Sequence, residues 1–595
     1  MKKSNKIKNT VHIIAEIFKY VVRTNKKLFF ICTLLTALNG VLRGALIYAQ
    51  QNLFDSASEM VQKNQKLNAV ILSLITLAIF HIIHQVLNGT ETYVSNMYEE
   101  KTKGILALKI NEKVNKISPI YFEDPKYLDD ITRAEEGKNN AVTFIMTLKD
   151  IMTFFIPYFG FMALYFYTLK PVLAFSILLL LIPVILGQIV RTKAFGILAY
   201  EAGALQRECN YYEQCIVGKE FFKETRLLGV QNKFKDKYLD TLNELQKKQM
   251  KSEMKTNIVE FFMQVITVIG YVCIIILLFF AVIKKEISIG AFSAVFYSIG
   301  EVYSYMERMV RFRMSKMSNG FGSICNYIRF LDMKEECMEY EKKMEINDIE
   351  LKNVSFKYPN AKCLSLNNVS LKIKKGETIA IVGENGSGKT TLVKTICGLY
   401  LPTEGTISYS ESDDIVKPRE LFANISAVFQ KYQRYKMSLE DNITISSISK
   451  EYSSNDLNDL CDFVDVKVNS KLFPKGLNTM LAREFGGVDL SLGQWQRIAI
   501  ARGIFKDSEL ICLDEPTAAI DPVEETKLYN CFYEIGKDKT ELIVTHRIGV
   551  AKGANRIIVM KNSKLVEEGS HEELMRINGE YKRLFDAQEK WYRNN

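Results

Sequence analysis

The sequence predicts two fold classes in one chain: a helical bundle with six membrane spans, then an α/β domain. Three observations carry this. Long apolar runs fill the first 320 or so of the 595 residues. Two long charged segments interrupt those runs at regular places. After residue 345 the composition becomes that of an ordinary water-soluble domain. The limits read as 1–27 for an N-terminal segment, 28–320 for the spans, 321–345 for a charged connector (LDMKEECMEYEKK) and 346–595 for the second domain.

Crossing about 30 Å of hydrocarbon at 1.5 Å per residue takes about twenty apolar residues. Six stretches qualify: 28–49, 67–87, 142–167, 171–190, 257–283 and, weakened by Glu301 and several tyrosines, 288–310. Spans three and four are separated only by a turn from Thr168 to Pro171. The second and third spans, and the fourth and fifth, are joined by long charged segments. The basic N-terminus and Lys101, Lys103, Lys109, Lys113 and Lys116 place both segments on the cytosolic side. Each reads as two helices leaving the bilayer with a connector at the tip. The tips are FEDPKYLDDITRA from Phe122 and GKEFFKETRLLG from Gly218, aromatic anchors mixed with charge that suit docking onto another domain.

The net charge of +10 sits largely beside the spans, which gives it to membrane orientation rather than to nucleic acid. Eleven cysteines without CxxC or Cys/His spacing predict a reducing compartment and no metal cluster. No signal peptide or cysteine-peptidase segment is read ahead of the first span, so leader cleavage is not expected. Ionisable groups at membrane depth are costly unless paired or facing water. Arg43 and Glu301 are therefore candidates for a polar cavity, with His81 and His84 nearby in the second span. Lys149, Asp150, Glu260, Glu307 and Arg308 fit helices that reach beyond the bilayer.

The second domain opens with IELKNVSFKYPN, which alternates like a strand. The run TIAIV then leads into GENGSGKTTL and a helix-like KTTLVKTICGL. Strand, glycine loop and helix are the context that GxxxxGK[ST] requires. Gly383, Glu384, Asn385, Gly386, Ser387 and Gly388 form a loop whose N–H groups can surround phosphate oxygens. Lys389 supplies a point charge for the β- and γ-phosphates, Thr390 a hydroxyl for Mg²⁺, and Thr391 follows it on the helix. The bound molecule is thus a nucleoside triphosphate with Mg²⁺. SELICLDEP reads as a buried strand ending in two acids. Asp514 is a Mg²⁺ ligand, and Glu515 is the base that orients or deprotonates the attacking water. ELIVTHR reads as a strand ending at His546, placed for the γ-phosphate.

With LSLGQWQRIAIARGIF from Leu490, the chain closely resembles the half-transporters among ATP-binding-cassette exporters. The stretch is similar to the family signature LSGGQ. Gln430 in AVFQ matches the glutamine-loop position, a further Mg²⁺ and water contact. Tyr358 in FKYP matches the aromatic that stacks on adenine, and Asp521 in AAIDP matches the aspartate loop. The resemblance covers nearly the whole chain. It implies a dimer, a homodimer in preference to a heterodimer, in which Ser491, Gly493 and Gln494 close over the partner's ATP and spans four and five cross to the partner. It implies ATP hydrolysis driving alternating access in the cytoplasmic membrane, with the cassettes in the cytosol. Leu492 replaces a signature glycine, read as tolerated; the rival reading is a weakened signature in a heterodimer. REFGG also departs from the usual exporter pattern. QWQ and FEDPKY resemble exporters of lanthipeptides and other small peptides, so peptides or amphipathic compounds are the expected cargo. A lipid flippase, an ATP-gated sensor or channel, and a siderophore importer on the exporter fold remain alternatives.

Overall fold

The computed structural model describes residues 2–63, 67–335, 345–409, 421–515, 532–533 and 539–593. The chain divides into two compact units, one of Met1–Val114 with Asp129–Met333, the other of Asn115–Leu128 with Lys334–Asn595.

The first unit is helical. Helix α1 (Lys2–Thr24) precedes the long helices α2 (Lys26–Lys63), α3 (Leu67–Lys116), α4 (Pro125–Asp150) with α5 (Ile156–Leu169), α6 (Pro171–Val217) and α8 (Gln231–Ile283). The sixth is α9 (Ile289–Glu307), continued through a π-helical stretch into α10 (Ser315–Leu331). Among the described residues four helical stretches are apolar and long enough to cross a membrane: Lys26–Gln62, Leu67–Lys116, Pro125–Leu169 and Gln231–Ile283. At 50 residues, α3 is about 75 Å long, far more than a bilayer needs. The excess carries it to a cytosolic tip, Pro119–Glu123. The second tip is the short α7 (Phe222–Leu227).

Two features in this unit follow from local chemistry. Pro157 lacks an N–H, and the helix ahead of it widens into a π turn over Ile151–Phe155. Helix α10 runs to Leu331, so residues placed in a connector from 321 form the end of the sixth helix. Ile324, Tyr327, Ile328 and Phe330 are buried there, a helical spacing that the charged composition of the segment hides.

The interior of the bundle carries the expected charges as partners. Arg43 Nη2 meets Glu301 Oε1 at 2.6 Å, and Tyr305 lies beneath the guanidinium at 5.8 Å. Lys149, read on a helix that reaches beyond the bilayer, is buried, its Nζ 2.9 Å from Thr36 Oγ1 and 3.0 Å from Asp150 Oδ1.

The second unit contains two sheets among the described residues. β1 (Ile349–Phe356) pairs with β2 (Leu366–Ile373) and β4 (Glu404–Ser408) in an antiparallel sheet. The larger sheet has the order β5-β6-β7-β3-β8-β9, comprising β5 (Ile425–Val428), β6 (Leu510–Asp514), β7 (Thr540–Val544), β3 (Thr378–Gly383), β8 (Arg556–Lys561) and β9 (Lys564–Gly569). All its pairings are parallel except β8 with β9. β3, β6 and β7 are buried along their whole length, which explains their unbroken apolar runs. Because β6, β7 and β3 are neighbours, the loops at their carboxyl ends meet along one edge of the sheet.

Candidate active site

Three strand ends build the site. After β3, the loop Glu384–Gly388 leads into α11 (Lys389–Ile396). Gly383 and Gly388 have φ of 149° and 101°. A Cβ at Gly388 would stand 2.5 Å from the Ser365 carbonyl, so only glycine fits. Lys389 is buried and folds over its own loop, with Nζ donating to the carbonyls of Gly383 at 3.0 Å and Glu384 at 2.9 Å. That leaves one of its three N–H bonds for a phosphate oxygen. Burial lowers its pKa, while Glu515 and Asp514 pull it back up.

Asp514 ends β6 and accepts a hydrogen bond from the Thr390 hydroxyl at 3.0 Å. Burial raises its pKa, and the bond from Thr390 opposes that rise. A hydroxyl and a carboxylate in contact, beside a phosphate-binding loop, fit a hard divalent cation that takes oxygen ligands.

Glu515, the next residue, holds the left-handed conformation at φ 49° and donates its N–H to the Val544 carbonyl. Its carboxylate lies between two donors, Gln430 Nε2 at 2.7 Å and His546 Nε2. The bond from His546 lowers its pKa, so it is ionised at neutral pH and able to accept a proton. β7 ends at Val544, two residues before the histidine that was read as the strand's end, and this puts His546 on the loop that faces Glu515.

Tyr358 follows β1. Its hydroxyl lies 3.3 Å from Thr391 Oγ1, and its ring meets the edges of Phe356 and Tyr400. Ser491 caps α14 (Leu492–Phe505), exchanging hydrogen bonds with Gln494 in a capping box. That helix packs in a second core with Trp495 and Ile498, apart from the core around α11. Among the described residues no hydrogen bond joins Ser491, Gly493 or Gln494 to the glycine loop. Asp521 lies outside the described residues.

Three contacts were not foreseen. Glu123 of the first tip accepts from the Tyr400 hydroxyl, Glu384 pairs with Arg583, and Gln588 reaches the loop of His546. A glutamine on an otherwise apolar helical stripe was the one available sequence signal.

A glycine loop, two strand-end acids, a facing histidine and a capped signature helix define the cassette of a transport ATPase. Residues 366–518 match the family model for ABC transporters. The chain is 28% identical to the subtilin transport ATP-binding protein SpaT of Bacillus subtilis, covering 99% of this chain and 96% of that one. It is 26% identical to the nisin transport ATP-binding protein NisT of Lactococcus lactis, covering 98% and 97%. An ATP-dependent lipid A-core flippase of Photobacterium profundum is 29% identical over 60% of this chain and 61% of its own. The fold matches a bacterial Atm1-family ABC exporter with ATP bound, at TM-score 0.72, 17% identity and coverage of 95% and 98%. Residues 366–518 are thus an ABC transporter domain, the chain has the fold of an ABC exporter, and its full-length relatives are transport ATP-binding proteins.

Proposed function

We propose that this chain is one half of a dimeric exporter that moves peptides outward across the cytoplasmic membrane. The observation that carries the peptide reading is its end-to-end similarity to the subtilin and nisin transport proteins. Similarity to the lipid A-core flippase spans three-fifths of the chain, which supports lipid movement as the second reading.

In this reading ATP lies on the β3 loop. Backbone N–H groups of residues 384–391 and Lys389 hold the phosphates, and the Tyr358 ring stacks on adenine. Thr390, Asp514 and Gln430 hold Mg²⁺, which when bound neutralises charge on the β- and γ-phosphates. Glu515 takes the proton of the attacking water, oriented by Gln430, while His546 contacts the γ-phosphate. Ser491, Gly493, Gln494 and Asp521 act across the seam, on the nucleotide of the second copy, a homodimer being the simpler assembly. Closure of the seam binds ATP more tightly than the open state does, and that difference drives the bundle from inward- to outward-open.

The test uses inside-out vesicles loaded with the full-length protein. ATP-dependent uptake of a subtilin- or nisin-like peptide is expected. Glu515→Gln should lower hydrolysis by about 10²–10³-fold and abolish uptake. Equal uptake by parent and variant would sink the proposal, and transfer of labelled phospholipid without peptide uptake would favour the flippase.

A further inference from the structure

The last helix, α17 (Glu580–Arg593), touches both loops that flank the nucleotide site. It starts under Glu567 of β9, whose carboxylate accepts from the N–H groups of Glu580 and of Tyr581, the latter at 3.0 Å. Tyr581, Leu584 and Phe585 then form an apolar stripe at helical spacing. The stripe packs on Ala380 and Val382 of β3 and on Ile548 and Ala551 of α15 (Ile548–Ala551). The next position on that stripe is Gln588, half-buried where an apolar residue is expected.

Its amide is used at both ends. Oε1 accepts from the Ile548 N–H at 3.0 Å, and Nε2 donates to the His546 carbonyl. The two peptide groups lie on either side of Arg547, in the loop between the end of β7 and the start of α15. The Thr545 N–H donates to the Ile381 carbonyl of β3 at 3.2 Å, and beyond that anchor a rigid helix adds the two hydrogen bonds of Gln588. The same loop presents the His546 imidazole to Glu515. On the neighbouring edge of α17, Arg583 pairs with Glu384 of the glycine loop. That pair is solvent-exposed and contributes little by itself.

We propose that Gln588 is a positioning residue for hydrolysis: by clamping the peptide groups around Arg547 it sets where His546 meets Glu515 and the terminal phosphate. The proposal rests on the reading of His546 as a phosphate contact. A misplacement of about 1 Å in such a group can cost about 10²-fold in rate.

The experiment measures steady-state hydrolysis and binding of a fluorescent ATP analogue by the full-length protein in lipid discs. Gln588→Leu keeps the shape and removes both hydrogen bonds. Its kcat should fall about ten- to a hundred-fold, with KM for ATP and analogue binding within about two-fold of the parent. Gln588→Glu supplies a second readout. Ionised, the new carboxylate faces the His546 carbonyl; protonated, it donates where the amide did. The ratio of variant to parent kcat should therefore rise as pH falls from about 8 towards 5.5. His546, Glu515 and Lys552 face the same surroundings in both proteins, so the ratio removes their contribution. A Gln588→Leu kcat within two-fold of the parent overturns the proposal. So does a loss of analogue binding as large as the loss of turnover, or a flat ratio for Gln588→Glu. His546→Ala separates the two readings: full turnover there removes the histidine's role and the clamp's with it. A dead His546→Ala beside an active Gln588→Leu removes the clamp alone.

Discussion

The two cytosolic tips both mix aromatic residues with charge, but their surroundings differ. At the first, Ile120 packs on the cassette core, and the buried Tyr127 ring meets Tyr121 and Phe122 at 5.7 and 5.3 Å. Glu123 accepts from the Tyr400 hydroxyl with Lys394 Nζ 3.7 Å away, and Asp124 accepts from Asn360 at 3.2 Å. At the second tip the Thr225 hydroxyl donates to the Cys215 carbonyl at 3.1 Å, an internal tie. Leu227 and Leu228 point outward, 87% and 68% exposed. One chain therefore covers one tip and leaves the other's leucines in water. The cassette in turn carries a groove of about 290 Å³ lined by Phe429, Tyr432, Tyr435, Ala499 and Arg502. The contrast fits a second copy: the first tip's contacts lie within its own chain, and in the proposed dimer the second tip would dock into the partner's groove.

The strongest way to break this contrast is at the second tip. Burying two leucines contributes about 3–6 kcal/mol, at about 1.5–3 kcal/mol each. Leu227→Asp with Leu228→Asp should lower ATP-driven uptake by about 10²-fold or more. Its basal hydrolysis should stay within about three-fold of the parent's, because no part of the site is touched. Leu227→Cys with Tyr435→Cys should give, on oxidation, a product of twice the chain mass. A crosslink confined to single chains would place the tip on its own cassette.

A smaller effect belongs to the first tip. Glu123→Ala leaves the Tyr400 hydroxyl without its acceptor and Lys394 without its carboxylate. Glu123 is partly exposed, and solvent screening holds the loss to about 1 kcal/mol, or about five-fold in uptake. A loss matching that of the leucine pair would mean that the two tips do equal work and that the contrast carries no mechanical meaning.

What the sequence could convey follows from how far apart the interacting residues lie. The glycine loop is one contiguous run from β3 into α11, and Asp514 and Glu515 end their own apolar strand. Strand, turn and chemistry are written within about fifteen residues. Both tips could be found for the same reason, as could the six apolar stretches. Arg43 and Glu301 were singled out by the cost of burying charge, but not as a pair, because 258 residues separate them. Tyr400 with Glu123 lies across 277 residues, and Gln588 with His546 across 42. Such contacts depend on which face of each helix turns inward, and spacing along one chain leaves that open. The burial of Lys149 was hidden for the same reason, since its partner Thr36 lies 113 residues away. The start of the connector was misread because α10 carries its apolar stripe among charged and polar residues.

The finest test of the contrast removes one oxygen. In Tyr400→Phe the ring remains, stacked on Phe356 at 5.3 Å and set against Tyr358 at 5.6 Å. The hydroxyl's bond to Glu123 and the bond it accepts from Lys394 at 3.1 Å are lost. Burial and the bond to Glu123 both push the hydroxyl's pKa upward, so it stays protonated and a donor throughout the neutral range. The Glu123 bond's net worth is about 0.5–1.5 kcal/mol. Because Tyr400 supports Tyr358, the proposed adenine-stacking residue, the expected change is about a two- to twelve-fold higher KM for ATP, that energy as a ratio, with kcat unchanged and no dependence on pH between about 6 and 9. In a Glu123→Ala background the same substitution should add less than it does alone, since one of the hydroxyl's two partners is already gone. If the two losses simply add, the tip and the adenine side of the site are not connected through this hydroxyl, and the first tip acts on the cassette through the packing of Ile120 alone.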